Sequence, residues 1–490
     1  GTSSPGTLLR EQLMESADFT AMVLDTDAPL QQQLYQQLVD WICSGRLPAG
    51  CKLLSSRRLA QDVGVSRNTV ILVLEQLKAE GFIRAVAGKG VYVNERLPDY
   101  TEMADVQDRA PDSESLPSLS AFGQSLAARP RVASASLPFT PGIPDVSAFP
   151  GKIWASLSRR HQDRAALMGF SDEQGYLPLR EALATYLRLS RGVRCDADQI
   201  IITDGAQQAI SLCAQLTLNT GDRALVENPG YRRARQAFLA RGAVLQGCDL
   251  LNNYLDVDTL QTVSADARIL YTTPTHQYPL GGIMPAADRL RLLQWAAQTS
   301  TWILEDDYDS EFCFQQKPVA ALQGMTANAP VLYMGSFSKT LFPSLRIGYL
   351  VVPKDAVDAF VQAKNYISGE SCLMTQATIA DFINEGHFVR HLRRMRLNYQ
   401  EKWQHFYGLI SDKLSSKARL VGQGAGMHVV IETDADDLEL CRKLASAGFG
   451  SSALSEYSLE SSEHRGLVLG FANSTVEQRH AVVNYLASVL

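Results

Sequence analysis

The stretch Val331–Pro353, VLYMGSFSKTLFPSLRIGYLVVP, sets two apolar runs on either side of a polar segment that carries one lysine, Lys339. Both runs are too short for a stable helix and are rich in the β-branched and aromatic residues that favour buried strands. Two strands joined in this way bring the lysine to the mouth of a sheet, with Ser336 and Ser338 before it and Arg346 seven residues after it. The amine is a candidate for reaction with a carbonyl. The serine hydroxyls and the guanidinium around it form a candidate phosphate clamp.

The same texture extends outward. From about Leu137 to the carboxyl end, strand-like runs alternate with helical stretches: Gln199–Gly205, RALVENPG, RILYTTPTH and WILEDDYDSEF. That order predicts an α/β domain, a mostly parallel sheet covered by helices, with its chemistry in the loops that leave the strands. Several of those loops are polar. TDGAQQA places Gly205, Ala206 and Gln207 between a strand and a helix, where backbone N–H groups can hold a phosphate, although most such turns bind nothing. Tyr231 follows a Pro-Gly turn and is either a ring that stacks on a flat ligand or a half-buried loop tyrosine. Glu305, Asp306, Asp307 and Tyr308 end an apolar run; a carboxylate there suits a protonated ring nitrogen, a metal or a solvated strand end. A phosphate clamp, a carboxylate for a ring nitrogen and a lysine for an aldehyde are together the handles of pyridoxal phosphate.

A chain of 490 residues exceeds what one core usually supports, so two or three domains are expected. With 46% hydrophobic and 20% charged residues and a formal net charge of -6, the composition argues against general disorder, a membrane span or a wholly basic nucleic-acid coat. Eight cysteines without a CxxC pair read as reduced thiols of a cytoplasmic protein, with no structural zinc or other metal set. No charged segment followed by an apolar run opens the chain, so secretion is not expected. Changes of texture divide it into an N-terminal extension (1–28), a compact helical segment (29–97), a Ser-, Pro- and acid-rich flexible linker (98–137) and the α/β domain (138–490).

In the helical segment, Leu30, Leu34, Leu38, Trp41 and Ile42 share one helical face behind Pro29. SSRRLAQDVGVSRNTVILVLEQLKAEG then gives a short helix, a break at Gly64 and a second helix with Ser66 as N-cap. Val70, Val73, Leu74 and Leu77 face inward there, leaving Arg67, Asn68 and Thr69 at its exposed start. FIRAVAGKGVYV follows as a small hairpin. Between Gly50 and Arg96, eight Lys and Arg residues (Lys52, Arg57, Arg58, Arg67, Lys78, Arg84, Lys89, Arg96) stand against Asp62, Glu75, Glu80 and Glu95, reversing the charge balance of the whole chain. A helix-turn-helix with a hairpin wing and local positive charge suits double-stranded DNA. A helical domain with a solvated basic face has the same periodicity.

The run Leu47–Val93, LPAGCKLLSSRRLAQDVGVSRNTVILVLEQLKAEGFIRAVAGKGVYV, closely resembles the winged helix-turn-helix of GntR-type bacterial regulators. The resemblance implies DNA contacts from Arg57, Ser66, Arg67, Asn68, Thr69, Lys89 and Gly90. Leu54 departs from it, standing where that family usually has proline. From about Pro138, the chain resembles a fold-type I aminotransferase domain, and the order GAQQ, NPGY, HQYPLGG, EDDYDSEF, SFSKTLFPSLRIGY resembles the MocR branch of the GntR regulators. By that resemblance Lys339 forms an internal aldimine with pyridoxal 5'-phosphate, Asp306 pairs with the pyridine nitrogen, Tyr308 meets the ring hydroxyl and Tyr231 stacks on the ring. Gly205, Ala206, Gln207, Ser336, Ser338 and Arg346 would hold the phosphate. Arg233 sits where a related amine-sensing regulator binds its effector.

Two positions depart from aminotransferases. Tyr278 replaces an asparagine that touches the ring hydroxyl, and Val468 replaces the arginine that grips a substrate α-carboxylate; Arg465, three residues earlier, is either a second candidate for the effector or a solvent-facing loop arginine. His276 and His464 read as packing or hydrogen-bonding residues. The expectation is a transcription regulator, a head-to-tail homodimer without membrane contact. Its operator binding would respond to pyridoxal phosphate itself or to an amine or amino acid held as an external aldimine. The alternative is a working aminotransferase with a DNA-binding appendage.

Overall fold

The computed structural model describes residues 19–98, 117–128, 137–263, 265–314, 319–422, 424–460 and 464–490. Residues 1–18 of the expected extension, and 99–116 and 129–136 of the expected linker, lie outside the described residues. The chain divides into two compact units, Gly1–Leu126 and Ala127–Leu490.

In the first unit a helix spans Leu30–Cys43 and buries Leu34, Leu38, Val39 and Ile42; Leu30 and Trp41 lie at the margin of that face, half-buried. Pro29 stands just before the first turn. The helix Ser56–Val63 ends at Gly64, whose φ of +76° is a conformation that a side chain would strain. The helix Arg67–Ala79 buries Val70, Val73 and Leu77. Two antiparallel strands, β1 (Ile83–Val86) and β2 (Gly90–Val93), form the wing. Phe19, Phe82, Ile83 and Val93 complete one small core with these helices. Each fully buried aliphatic side chain contributes roughly 1.5–3 kcal/mol, so this core outweighs surface pairs such as Arg58–Asp62, 3.3 Å apart.

The second unit is built on a seven-stranded sheet. Its strands are β3 (Ile200–Thr203), β4 (Arg223–Glu227), β5 (Val244–Cys248), β8 (Ala267–Thr272), β9 (Trp302–Asp306), β10 (Val331–Ser336) and β11 (Gly348–Val351), in the spatial order β3-β11-β10-β9-β8-β4-β5. The pairs β10–β9, β9–β8, β8–β4 and β4–β5 are parallel, and β11 runs antiparallel to both of its neighbours. Residues of these strands alternate between two cores, which is the period of two that strands impose. Ile200, Ile202, Val331 and Tyr333 join the core on one face, and Ile201, Leu332, Met334 and Leu350 join the core on the other. Both faces are therefore covered, and the strands read as continuous apolar runs. A short hairpin, β6 (Leu250–Leu251) with β7 (Tyr254–Leu255), precedes β8. A four-stranded antiparallel sheet follows, with β12 (Arg419–Val421), β13 (His428–Glu432), β14 (Ser452–Ala453) and β15 (Gly466–Gly470) in the order β12-β13-β15-β14. The main sheet puts the carboxyl ends of β3, β4, β8, β9 and β10 along one edge, so the loops singled out in the sequence gather there.

Candidate functional site

Strand register brings the first loops together. Gly348 pairs with Thr203 on one side and Ser336 on the other, so the turn after β3 and the turn after β10 are separated by a single strand. Gly205 has φ +84° and opens the helix Ala206–Thr217, whose first N–H groups have no partner within the helix. A Cβ on Gly205 would lie 3.1 Å from the Arg346 guanidinium, which donates to the Asp204 carbonyl oxygen at 3.1 Å. Arg346 itself adopts a left-handed φ of +54°, turning its side chain back over that helix start. Ser336 caps the short helix Phe337–Thr340 by accepting from the Ser338 N–H at 3.0 Å, and the two hydroxyls are 3.0 Å apart. Gln207 carries a buried Oε1 without a hydrogen-bond partner among the described residues. The helix-start N–H groups, the two serine hydroxyls and the Arg346 guanidinium make a donor set of the kind an acceptor-rich phosphate fills, while Gln207 Oε1 can only accept.

Lys339 lies half-buried beside this set and donates from Nζ to the Gly142 carbonyl oxygen at 2.6 Å. Burial pushes its ammonium down to about 8, with Arg233 adding to the effect and Asp309 and Asp306 opposing it. Gly142 has φ +82°, a conformation that side chains rarely adopt, and a Cβ there would press on Lys339 Nζ and displace it.

The carboxylates at the end of β9 have separate employments. Glu305 is fully buried and accepts from the N–H groups of Leu322 at 2.8 Å and Gln323 at 3.0 Å. Asp307 accepts from Arg191 Nε at 2.7 Å and the Tyr333 hydroxyl at 2.6 Å, and Arg191 holds its carboxyl below the usual range despite burial. Neither residue is a solvated strand end. Asp306 is the one aimed at the Lys339 side: it accepts from the Tyr271 hydroxyl at 2.6 Å, and Lys339 acts on its charge. Burial pushes Asp306 up to about 7, against the Tyr271 hydrogen bond and with help from Asp307 and Asp309.

Aromatic rings line the space next to these groups. Tyr231 stacks on Tyr271 with centroids 6.1 Å apart and meets Tyr278 edge-on at 5.7 Å. Tyr278 meets Tyr308 edge-on at 5.6 Å, and its hydroxyl is 3.2 Å from that of Tyr457. Sequence reading missed the residue that fixes this wall. Glu227, buried at the end of β4, accepts from Thr272 Oγ1 at 2.5 Å, Thr273 N–H and Oγ1 at 3.1 Å each, and Gln277 Nε2 at 3.0 Å. It thereby ties the loop that carries Tyr231 to the loop that carries Tyr278. A glutamate ending a buried strand was the available signal, but its partners come from a distant loop.

Arg233 is exposed, yet its charge acts on both Lys339 and Tyr231. Its neighbour Arg232 pairs with Glu456 at 3.1 Å and sits over the Tyr457 ring. Val468 is fully buried in a small apolar cluster with Leu280, Val430, Leu454 and Tyr457, against which Tyr278 packs. Arg465 is not brought to this place. It is exposed and lines a shallow depression with Lys417, Arg419, Glu432 and Asp434, none of which belongs to the cluster around Lys339.

In the first unit, the Ser66 side chain caps the helix Arg67–Ala79 by accepting from the Thr69 N–H at 3.1 Å. The Thr69 hydroxyl is drawn into the same cap, 2.8 Å from Ser66 Oγ. Arg57, Arg67 and Asn68 are exposed, and Arg67 Nε donates to Ser56 Oγ at 3.4 Å, linking the starts of the two helices. Lys89 and Gly90 are exposed at the wing tip. Lys52 joins them: its Cε lies 2.9 Å from where a Cβ on Gly90 would stand, so its ammonium adds to the charge of the wing. Sequence reading counted Lys52 as basic but not as part of this site, because its approach to Gly90 depends on the bridge between Lys52 and Tyr92.

Comparison with known proteins fits both units. Residues 30–93 match the model of the bacterial regulatory proteins, gntR family, and residues 146–479 match that of aminotransferase class I and II. The chain is 38% identical over 475 residues to the "Probable rhizopine catabolism regulatory protein MocR" of Rhizobium meliloti, covering 95% of each chain. It is 29% identical over 448 residues to the HTH-type pyridoxine biosynthesis transcriptional regulator PdxR of Corynebacterium glutamicum, covering 90% of this chain and 91% of that one. Among solved structures, LysN, an α-aminoadipate aminotransferase from Thermus thermophilus, matches with a TM-score of 0.67 at 27% identity, over 76% of this chain and 94% of its own. With a gntR-family winged helix-turn-helix ahead of a fold-type I aminotransferase domain, the chain belongs to the MocR branch of the GntR family of HTH-type transcriptional regulators.

Proposed function

We propose that this regulator holds pyridoxal phosphate at Lys339 and that the state of that site sets its affinity for, or its geometry on, a double-stranded operator. The observation that carries the reading is the gathering of a phosphate-suited helix start, a half-buried lysine with a lowered ammonium and the buried Asp306 carboxyl, which among the described residues has no arginine or backbone N–H partner, at one sheet edge. The donor chemistry fits the cofactor at each of its three handles.

When bound, pyridoxal phosphate supplies an aldehyde that reacts reversibly with primary amines. Lys339 would hold it covalently, and burial helps by making the neutral amine accessible near neutral pH. The N–H groups of Gly205, Ala206 and Gln207 would take the phosphate with Ser336, Ser338 and Arg346. Asp306 would face the ring nitrogen; its carboxyl, raised by burial, ionises once a cation stands against it. Tyr231 would cover the ring face, and Tyr308 and Tyr278 would line its hydroxyl side. Arg233 is placed to receive an anionic part of an effector. The buried Val468 supplies no cation for an α-carboxylate, which argues against ordinary α-amino acid transamination.

Arg57, Ser66, Arg67, Asn68, Thr69, Lys89 and Gly90 would meet DNA, the helix start reading base edges and the wing and arginines engaging phosphates. A homodimer, arranged head to tail, would engage paired half-sites in the cytoplasm. Among the described residues no helix is long and apolar enough to cross a membrane.

A ligand shifts such a system only by its different affinity for two arrangements. The test is binding to DNA from the protein's own upstream region at fixed salt, with apoprotein, with pyridoxal phosphate, and with that complex plus a panel of amines and amino acids. A change with the cofactor alone identifies a cofactor sensor, the input suggested by the relative named for pyridoxine biosynthesis. A change only with one amine identifies that amine as the signal. Lys339→Ala should abolish both the imine absorption band and the response; an unchanged band would sink the assignment.

A further inference from the structure

Outside the groups already placed around the cofactor, one buried triad touches the site. His276 Nδ1 lies 2.9 Å from Asp309 Oδ2 and also 2.9 Å from the Tyr308 hydroxyl oxygen. His276 is 4% exposed and Asp309 2%, so both are shielded from bulk solvent. Two glycines box the imidazole: a Cβ on Gly426 would stand 2.5 Å from both His276 Cε1 and Asp309 Oδ2, and one on Gly281 would stand 3.2 Å from His276 Nε2. Main chain therefore lies close against the imidazole on two sides.

A single nitrogen with two oxygens at bonding distance has a limited set of proton arrangements. With Asp309 ionised, a bare Nδ1 would turn its lone pair to an acceptor-only carboxylate at 2.9 Å with no proton between them. Nδ1 consequently carries the proton, whether the imidazole is neutral or cationic, and donates it to Asp309. Tyr308 oxygen at the same nitrogen can then only accept. Burial, followed by the charge of Asp309, pushes the Tyr308 hydroxyl far above its ordinary range, so the phenol keeps its own proton. That proton has to point away from His276.

We propose that Asp309 and His276 are positioning residues that lock the Nδ1-protonated form of the imidazole and so aim the Tyr308 O–H into the Lys339 site, where it donates to the ring oxygen of the cofactor. Tyr308 is two residues past Asp306, and its ring packs edge-on against Tyr278, so its hydroxyl opens on the wall assigned to that ring oxygen. The role would otherwise fall to the asparagine whose place Tyr278 takes. Without Asp309, the bare tautomer becomes accessible, Nδ1 accepts the Tyr308 proton, and the donor is withdrawn from the site. The proposal rests on the reading of Lys339 as a pyridoxal phosphate site.

Two measurements test it. Neutron diffraction from crystals of deuterated apoprotein locates the proton without any cofactor: density on His276 Nδ1 between the ring and Asp309 is expected, and a bare Nδ1 overturns the proposal. Spectroscopic titration with pyridoxal phosphate then compares wild type, Asp309→Ala, Tyr308→Phe and the double variant. Asp309→Ala should weaken binding about tenfold, whereas Asp309→Ala in the Tyr308→Phe background should change it little, because the donor is already gone. Equal losses in both backgrounds show a merely structural role and overturn it. Asp309→Asn, whose side-chain carbonyl still accepts from Nδ1, should retain most of the affinity and serves if the alanine variant does not fold. Wild-type protein that binds no pyridoxal phosphate would instead sink the underlying reading, and the proposal's cofactor role with it, whatever the neutron map shows.

Discussion

Asp306 shows how much a single position depends on its surroundings. Glu305 and Asp306 end β9 and Asp307 follows it, and only their partners tell the three acids apart: backbone N–H groups hold Glu305, Arg191 holds Asp307, and Asp306 is left to Tyr271 and the Lys339 side. Burial pushes Glu305, Asp306 and Glu311 each up to about 7. Their folded forms hold protons that the unfolded chain releases near pH 4, so the stabilisation is complete below that pH and is lost as pH rises through 7. Thermal unfolding of the apoprotein should therefore show a falling melting temperature between pH 5 and pH 8. Asp306→Asn, which keeps an acceptor for Tyr271, should flatten part of that slope and stabilise the apoprotein at pH 8 by on the order of a few kcal/mol. An unchanged slope would mean that Asp306 ionises normally. Lys339 was legible in the sequence as the candidate central residue because its serines and arginine are local. The division of labour among the acids was not, since Arg191 and Tyr271 are 116 and 35 residues from their partners.

At the scale of elements, the proposed function rests on two helix starts, and each depends on one residue. Ser66 supplies the cap of the helix Arg67–Ala79; Ser66→Ala should cost about 1 kcal/mol and loosen the turn that presents Arg67 and Asn68. Urea unfolding and operator titration together check this, and stability without loss would show that the cap bond is not formed. Gly205 opens the helix Ala206–Thr217 with φ +84° and lies against the Arg346 guanidinium. Gly205→Ala should strain that turn and displace Arg346, weakening pyridoxal phosphate binding by tenfold or more while operator binding by the apoprotein is kept. Titration of both ligands decides, and an unaffected cofactor affinity would remove the phosphate from this helix start. The capping serine and the glycine break were readable because N-caps and left-handed turns select residue types locally. The approach of Arg346 was not, because it follows from the antiparallel placement of β11 between β3 and β10.

For the whole molecule, charge separates operator binding from the proposed cofactor binding. The chain carries a formal net charge of -6, so affinity for DNA has to come from the local set that includes Arg57, Arg67, Lys52 and Lys89. Binding should then fall steeply with salt, and Arg67→Ala should reduce the logarithmic salt slope by about 1 if it meets a phosphate, leaving cofactor binding intact. Equal loss of both activities would point to misfolding. The sequence by itself determined the two-part architecture, the winged helix-turn-helix, the alternating α/β order and most of the residues that gather at the sheet edge, because periodicity, caps and loop motifs are written in neighbouring residues. Only the tertiary structure decided that Glu227 ties the tyrosine loops together, that backbone N–H groups take Glu305 and Arg191 takes Asp307 while Tyr271 holds Asp306, that Arg465 stands apart from the cluster around Lys339, and that His276 lies between Asp309 and Tyr308. Those outcomes depend on strand order and register, which bring residues tens to hundreds of positions apart within hydrogen-bonding distance and fix which of several similar side chains is left to act.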